Sequence, residues 1–207
     1  MIGLSKSARA GYSFDDVAVA PHRRTRDPEA VDLGWQIDAY GFALPLVAAP
    51  MDSIMSPETA IEMGQAGCLG VLNLEGLWTR YADPSDAFEQ IRAASAHDSV
   101  ALLQRLYAEP IKPELIIERV RQMRAANITV AASLSPQKTH DLFGHVIEAG
   151  VDVFVIRGTT VSAEHVSAGN EPLNLKRFIY ELDVPVLVGG VATYQSALHL
   201  MRAGAAG

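Results

Sequence analysis

The chain has 207 residues, 49% of them hydrophobic and 20% charged, with a formal net charge of -7. This is an ordinary globular composition, and its acidic balance argues against a general binder of nucleic acid or of anionic membrane surfaces. No apolar run approaches the ~20 residues of a membrane helix, the opening residues lack a signal-peptide core, and a single cysteine, Cys68, excludes an internal disulfide, so a cytoplasmic protein is expected.

Residues 1–13 read as a flexible lead-in, and the short basic cluster at 22–26 as a solvated loop. Residues 14–19 and 31–37 alternate apolar and polar side chains, the pattern of two exposed strands forming a hairpin-like cover. Residues 44–49 form a continuous apolar run. It suits a strand buried on both faces, although periodicity alone also allows a buried helix. The run ends in Pro50-Met51-Asp52-Ser53, and Ser56-Pro57 then has the form of a helix cap and first position. In parallel α/β folds ligands sit at the C-terminal ends of strands. Met51, Asp52 and Ser53 are therefore the first candidates for a ligand contact, with a simple chain-redirecting turn as the alternative.

A helix over about 57–66 follows, packed through Ala60, Ile61, Met63 and Gly64, and then a buried strand over 69–74. Residues 76–112 interrupt the rhythm with two helical segments, about 86–96 and 99–109. This insertion is expected to cover one end of the core. Lys112-Pro113 opens a helix to 126, with Leu115, Ile116, Val120, Met123 and Arg124 on the packed stripe and Glu114, Glu118, Arg119 and Arg121 facing solvent. Strands over 128–134, 151–156 and 184–188 alternate with helices from Ser135-Pro136 to Gly150, over 174–182 and over 193–203.

One junction recurs. Gly67, Asn127, Gly150 and Gly204 each follow a helix end, and the first three lead directly into an apolar run. Glycine or asparagine at that place is the chemistry of a helix-to-strand loop. Strand–helix alternation with such loops implies parallel strands and right-handed crossovers. Five strand–helix units are expected in an α/β fold. By pattern this is either an open doubly wound sheet or the front part of a closed barrel, which typically needs about 250 residues.

Phe14-Asp15-Asp16-Val17, then Pro45 to Ser53, Gly67-Cys68-Leu69-Gly70-Val71, Ala149-Gly150-Val151-Asp152 and Val188-Gly189-Gly190-Val191-Ala192-Thr193 resemble, in order and spacing, the front of the IMP dehydrogenase/GMP reductase family. Residues 109–116 and 157–165 are similar to the branch that lacks regulatory CBS domains. The resemblance covers nearly the whole chain. It implies a (β/α)8 TIM barrel, here an incomplete one of about five βα units with an N-terminal hairpin and a helical insertion, in one domain over 1–207. It implies oxidoreductase chemistry on a purine nucleotide (IMP, XMP or GMP) in guanine nucleotide metabolism, NAD or NADP as cofactor, and a homo-tetramer or larger assembly of the complete protein.

By the same resemblance, Ala49, Pro50, Met51 and Asp52 lie in the nucleotide-contacting segment, with Met51 against the base. Gly189, Gly190 and Val191 lie beside the substrate. Asn73, Arg157, Gly158 and Thr159 lie where the family holds its nicotinamide cofactor. Arg157-Gly158-Thr159 replaces the family's acidic-serine-serine motif, and an arginine there favours a phosphate or another anion. Arg157 could instead pair with Glu164 or Asp152, and Gly189-Gly190 could serve close packing. The family's cysteine loop follows the sixth strand, beyond Gly207, so the 207-residue chain is expected to be inactive by itself. Cys68 reads as a small core residue, and no cluster has metal-ligand spacing. His140, His145 and His199 read as surface or packing residues, and His165 as the histidine to test. A non-catalytic nucleotide-binding or regulatory protein of the same fold is the alternative function. A phosphate-binding barrel enzyme of unrelated chemistry is a third.

Overall fold

The computed structural model describes residues 10–159, 161 and 174–207. His165, Glu164 and Thr160 lie outside the described residues. The chain divides into two compact units, Met1–Asp32 and Leu33–Gly207.

The first unit contains two 3-10 turns, Phe14–Asp16 and Pro28–Ala30. The strand expected at 14–19 does not form. Ser13 Oγ accepts the Asp15 N–H at 3.2 Å, and the Asp16 carboxylate accepts the Ser13 N–H at 2.9 Å. This reciprocal capping box closes a local turn where the alternating pattern suggested extended chain.

The second unit begins with a hairpin, β1 (Trp35–Ile37) and β2 (Tyr40–Phe42), paired antiparallel with Trp35 opposite Phe42. The expected cover is thus present, but its two strands are neighbours in sequence. Five parallel strands follow in sequential order: β3 (Val47–Ala48), β4 (Leu69–Asn73), β5 (Ala131–Leu134), β6 (Val153–Arg157) and β7 (Val186–Gly189). The connecting helices are α1 (Pro57–Gln65), α2 (Ser85–Ala93), α3 (Ser99–Tyr107), α4 (Pro113–Ala125), α5 (Pro136–Ala149), α6 (Leu175–Tyr180) and α7 (Tyr194–Arg202). Parallel strands added in sequence order, each followed by helical chain, are the winding of a (β/α) barrel. The sheet is an incomplete barrel of that type and not a doubly wound sheet, whose strand order reverses.

The four helix-end junctions all turn through the left-handed region: φ is +79° at Gly67, +55° at Asn127, +90° at Gly150 and +107° at Gly204. Glycine and asparagine tolerate that conformation at the least cost. The cap read from sequence at Ser56 forms, and Asn174 and Thr193, the first residues of the ranges expected to be helical, cap their helices in the same way. Ser56 Oγ accepts from Thr59 N–H, Asn174 Oδ1 from Arg177 N–H and Thr193 Oγ1 from Ser196 N–H, at 3.0, 3.1 and 3.1 Å.

Strand alternation sorts the side chains onto two faces. Leu72, Leu74, Ala132, Leu134, Phe154, Ile156, Val186 and Val188 pack outward in the core shared with the helices. Leu69, Val71, Ala131 and Val153 point inward and are covered at the N-terminal end of the strands by Ile37 and Phe42 of the hairpin.

Three expectations about burial are corrected. The run at 44–49 is not buried on both faces: β3 pairs only with β4, leaving Leu46 55% and Val47 51% exposed. Arg119 does not face solvent. It is 8% exposed, donates from Nε to the Trp78 carbonyl at 3.2 Å and from Nη2 to the Ala82 carbonyl at 2.5 Å, and lies over the Trp78 ring. Its guanidinium satisfies carbonyls of the insertion that α4 alone could not reach. Arg124 is the converse: expected on the packed stripe, it is exposed and reaches the Gly150 carbonyl and Asp152.

Candidate functional site

The C-terminal ends of β3 to β7 form a rim. The first rim segment follows β3. The Met51 N–H donates to the Ala49 carbonyl, and the Met51 carbonyl accepts from Ile54 and Met55 N–H groups at 2.9 and 2.8 Å. This tight turn ends the strand and leaves the Met51 side chain 47% exposed. It also turns Asp52 toward the next strand.

The Asp52 carboxylate accepts three hydrogen bonds. They come from Asn73 Nδ2 at 3.3 Å, the Leu77 N–H at 2.6 Å and the Tyr107 hydroxyl at 2.6 Å. Asp52 thereby ties the β3 loop to the end of β4 and to α3 of the insertion. Gly76 is required beside it, because a Cβ there would overlap the Asp52 carboxylate. Burial, reinforced by the hydrogen bond and negative charge of Asp52, pushes the Tyr107 phenol well above its ordinary pKa of 10.0.

Asn73 continues the chain of bonds. Its Oδ1 accepts the Glu75 N–H at 3.1 Å and faces Arg157 Nη2 at 3.5 Å. Glu75 in turn accepts the N–H of Ser135, the residue capping α5. A carboxylate there also suits the positive end of the helix. Arg80 donates from Nε to the Glu75 carbonyl at 3.1 Å and also reaches the Glu109 carbonyl.

Past β6 and β7 the backbones are stitched together. The Gly158 N–H donates to the Gly189 carbonyl at 2.7 Å, Gly190 N–H to the Gly158 carbonyl at 2.6 Å, and Val161 N–H to the Gly190 carbonyl at 2.9 Å. A Cβ at Gly190 would touch the Thr159 carbonyl at 3.4 Å, while at Gly189 it would meet open space.

The structure therefore joins two sets of the expected residues: Asp52, Asn73 and Arg157 through side chains, and Gly158, Gly189 and Gly190 through backbone. Pro50 is half-buried in the β3 turn, whereas Ala49, Thr159 and Val191 are exposed on the rim, outside that side-chain chain. Arg157 does not pair with Asp152. The Asp152 carboxylate lies at the other end of β6, where it accepts the Val130 N–H at 2.8 Å and faces Arg124 at 3.4 Å. Cys68 is 4% exposed, just ahead of β4, and so at the end of the strands away from the rim. Two contributors escaped the sequence reading. Tyr107 carried no local signal. Ser133, one hydroxyl within the apolar β5, did carry one: it is fully buried and its Oγ has no hydrogen-bond partner.

The IMP dehydrogenase/GMP reductase domain family matches residues 11–207. The chain belongs to that family. An uncharacterized oxidoreductase of Mycolicibacterium smegmatis is 47% identical over 211 residues, covering 100% of this chain and 56% of the relative. The inosine-5'-monophosphate dehydrogenase of Thermoplasma acidophilum is 29% identical over 154 residues, covering 73% of this chain and 29% of that enzyme. The crystal structure of an IMP dehydrogenase/GMP reductase-like protein from Corynebacterium glutamicum superposes with a TM-score of 0.90 at 46% identity, over 99% of this chain and 55% of that one. The chain thus spans little more than half the length of the mycobacterial and corynebacterial relatives. Among the described residues no helix is long and apolar enough to cross a membrane, and no cluster of side chains is arranged to hold a metal ion.

Proposed function

We propose that this chain is the nucleotide-facing front of a purine-nucleotide oxidoreductase of the IMP dehydrogenase/GMP reductase type, NAD(P)-dependent and acting in guanine nucleotide metabolism as a homo-oligomer. The observation that supports this reading is the family match over residues 11–207, and the groups we assign to the nucleotide are the exposed Met51 turn after β3 and the Gly189-Gly190 stitch at the end of β7. Met51 offers an apolar surface for a base, and the open space at Gly189 allows close approach of a ligand.

Arg157 suits an anionic group, and the backbone at Gly158 and Thr159 borders it. Among the described residues, the carboxylates nearest Arg157 are already engaged, Asp52 by three donors and Glu75 by the Ser135 N–H. The set therefore fits the phosphate part of a nicotinamide dinucleotide. When bound, that cofactor exchanges hydride with the substrate. The residues of this chain bind and orient, and Cys68 supplies no nucleophile to the rim. A non-catalytic purine-nucleotide binder is the second reading, favoured by the cationic Arg157.

Calorimetry with IMP, GMP and inosine tests the proposal. IMP or GMP is expected to bind, and Met51→Glu to weaken that binding at least tenfold. Absence of binding by any purine compound would remove the purine assignment. The 207-residue chain is expected to produce no NADH from IMP and to consume no NADPH with GMP.

A further inference from the structure

We propose that Arg157 and Ser133 form an oxyanion subsite on the inner face of the sheet, built for a phosphate group. Three observations converge. Arg157 carries five N–H donors, yet among the described residues its guanidinium makes one polar contact, a long one of 3.5 Å to the neutral amide oxygen of Asn73. Among the described residues no carboxylate lies within ion-pair distance of it. Ser133 lies on the strand between: β4, β5 and β6 are adjacent, and Asn73, Ser133 and Val155 stand opposite one another in the register. Arg157, two residues beyond Val155, shares their inward face, so its arm crosses β5 to reach Asn73. The Ser133 hydroxyl on that face is fully buried and unpartnered. A buried unmade hydrogen bond is costly, which singles out Ser133 as a group whose partner arrives from outside the protein.

The two carboxylates nearest this chain of bonds, Asp52 and Glu75, are each held by N–H or O–H donors, and Arg80 packs beside Glu75. An oxyanion drawing the guanidinium off Asn73 toward the open space at Gly189 engages its paired N–H groups and uncovers the Ser133 hydroxyl as a further donor. A carboxylate shares the forked geometry. The higher charge and third oxygen of phosphate suit the additional hydroxyl better.

The test is titration of the 207-residue protein with inorganic phosphate and, separately, acetate, followed by arginine side-chain NMR and calorimetry. Phosphate is expected to shift one arginine resonance saturably, more tightly than acetate, and more weakly as salt rises. Arg157→Gln removes that resonance and weakens phosphate binding roughly tenfold or more, and Arg157→Lys restores part of it. Ser133→Ala, a change that removes an unpartnered hydroxyl and so leaves the fold intact, weakens phosphate several-fold. Equal phosphate affinity in wild type and Arg157→Gln overturns the subsite, an unchanged affinity in Ser133→Ala removes the serine from it, and tighter acetate than phosphate makes it a carboxylate site. Phosphate binding that depends on Arg157 without any binding of IMP, GMP or inosine leaves the subsite standing and removes the purine assignment. The opposite pattern does the reverse.

Discussion

The two ends of the sheet each carry a tyrosine on an aspartate, and the two pairs do different work. At the N-terminal end, Tyr40 of the hairpin reaches Asp152 at 3.5 Å, and Asp152 is already held by the Val130 N–H and faced by Arg124. The hairpin there is anchored mainly by apolar contact: Trp35 stacks on Phe42 at 4.6 Å, and Ile37 and Phe42 cover Leu69, Val71, Ala131 and Val153. At the rim, Tyr107 meets Asp52 at 2.6 Å, and among the described residues no cation forms an ion pair with that carboxylate; two side chains and one backbone N–H satisfy it instead. One end is closed by hydrophobic burial with a polar fringe. The other is organised by a polar hub that ties three segments together and leaves apolar and cationic side chains exposed around it.

The sharpest way to break this contrast is Asp52→Ala. It strands three donors at once and is expected to cost about 3 kcal/mol, read as a lower urea midpoint with little change in slope. A loss below about 1 kcal/mol would mean that the hub does not organise the rim. Gly76→Ala comes next. The new Cβ overlaps the Asp52 carboxylate, and a loss of about 2 kcal/mol is expected, whereas Gly41→Ala in the hairpin meets open space and shifts stability by under about 0.5 kcal/mol. Tyr107→Phe should cost about 1.5 kcal/mol, since it removes a short bond to a charged acceptor. Tyr40→Phe should cost under about 0.5 kcal/mol, because its bond is long and its partner is otherwise engaged. Equal losses in the two variants would erase the distinction between the ends.

The smallest expected effect is on pH dependence. Burial and Asp52 raise the folded-state pKa of Tyr107 above the 10.0 of an unperturbed phenol. Between those values the folded state holds the proton and the unfolded state releases it. The stabilisation is therefore complete below pH 10 and falls as pH rises toward the folded-state value. Wild type should lose more stability than Tyr107→Phe on passing above pH 10, and its alkaline absorbance titration should show one phenol fewer. Parallel stability curves for the two proteins would count against the shift.

Much of the scaffold could be read in advance because its determinants are local. A glycine or asparagine at the end of a helix carries its conformational meaning with it, and all four such junctions adopt the left-handed turn. Ser56, Asn174 and Thr193 likewise cap the helices that they precede in sequence. Alternation at 14–19 misled, because extended chain needs a partner strand and Ser13 with Asp16 offered a closed turn instead. Arg119 misled because its spacing on α4 says nothing of the Trp78 and Ala82 carbonyls that the insertion brings to it.

The candidate site divides in the same way. Residue order placed Met51 and Asp52 after a strand, and the family resemblance singled out Asn73, Arg157 and Gly189, which end β4, β6 and β7; parallel winding brings every such strand end to the same side. Which of them touch was decided by tertiary structure. Tyr107 stands 55 residues from Asp52, and Arg157 stands 84 from Asn73. Hydrogen bonds across such separations depend on sheet register and on how the insertion folds back, and neither leaves a periodic trace in the chain. Strand and helix identity follow from near-neighbour geometry that each residue imposes on its own backbone. The filled Asp52, the lightly engaged Arg157 and the unpartnered Ser133 exist only once the five strands are side by side.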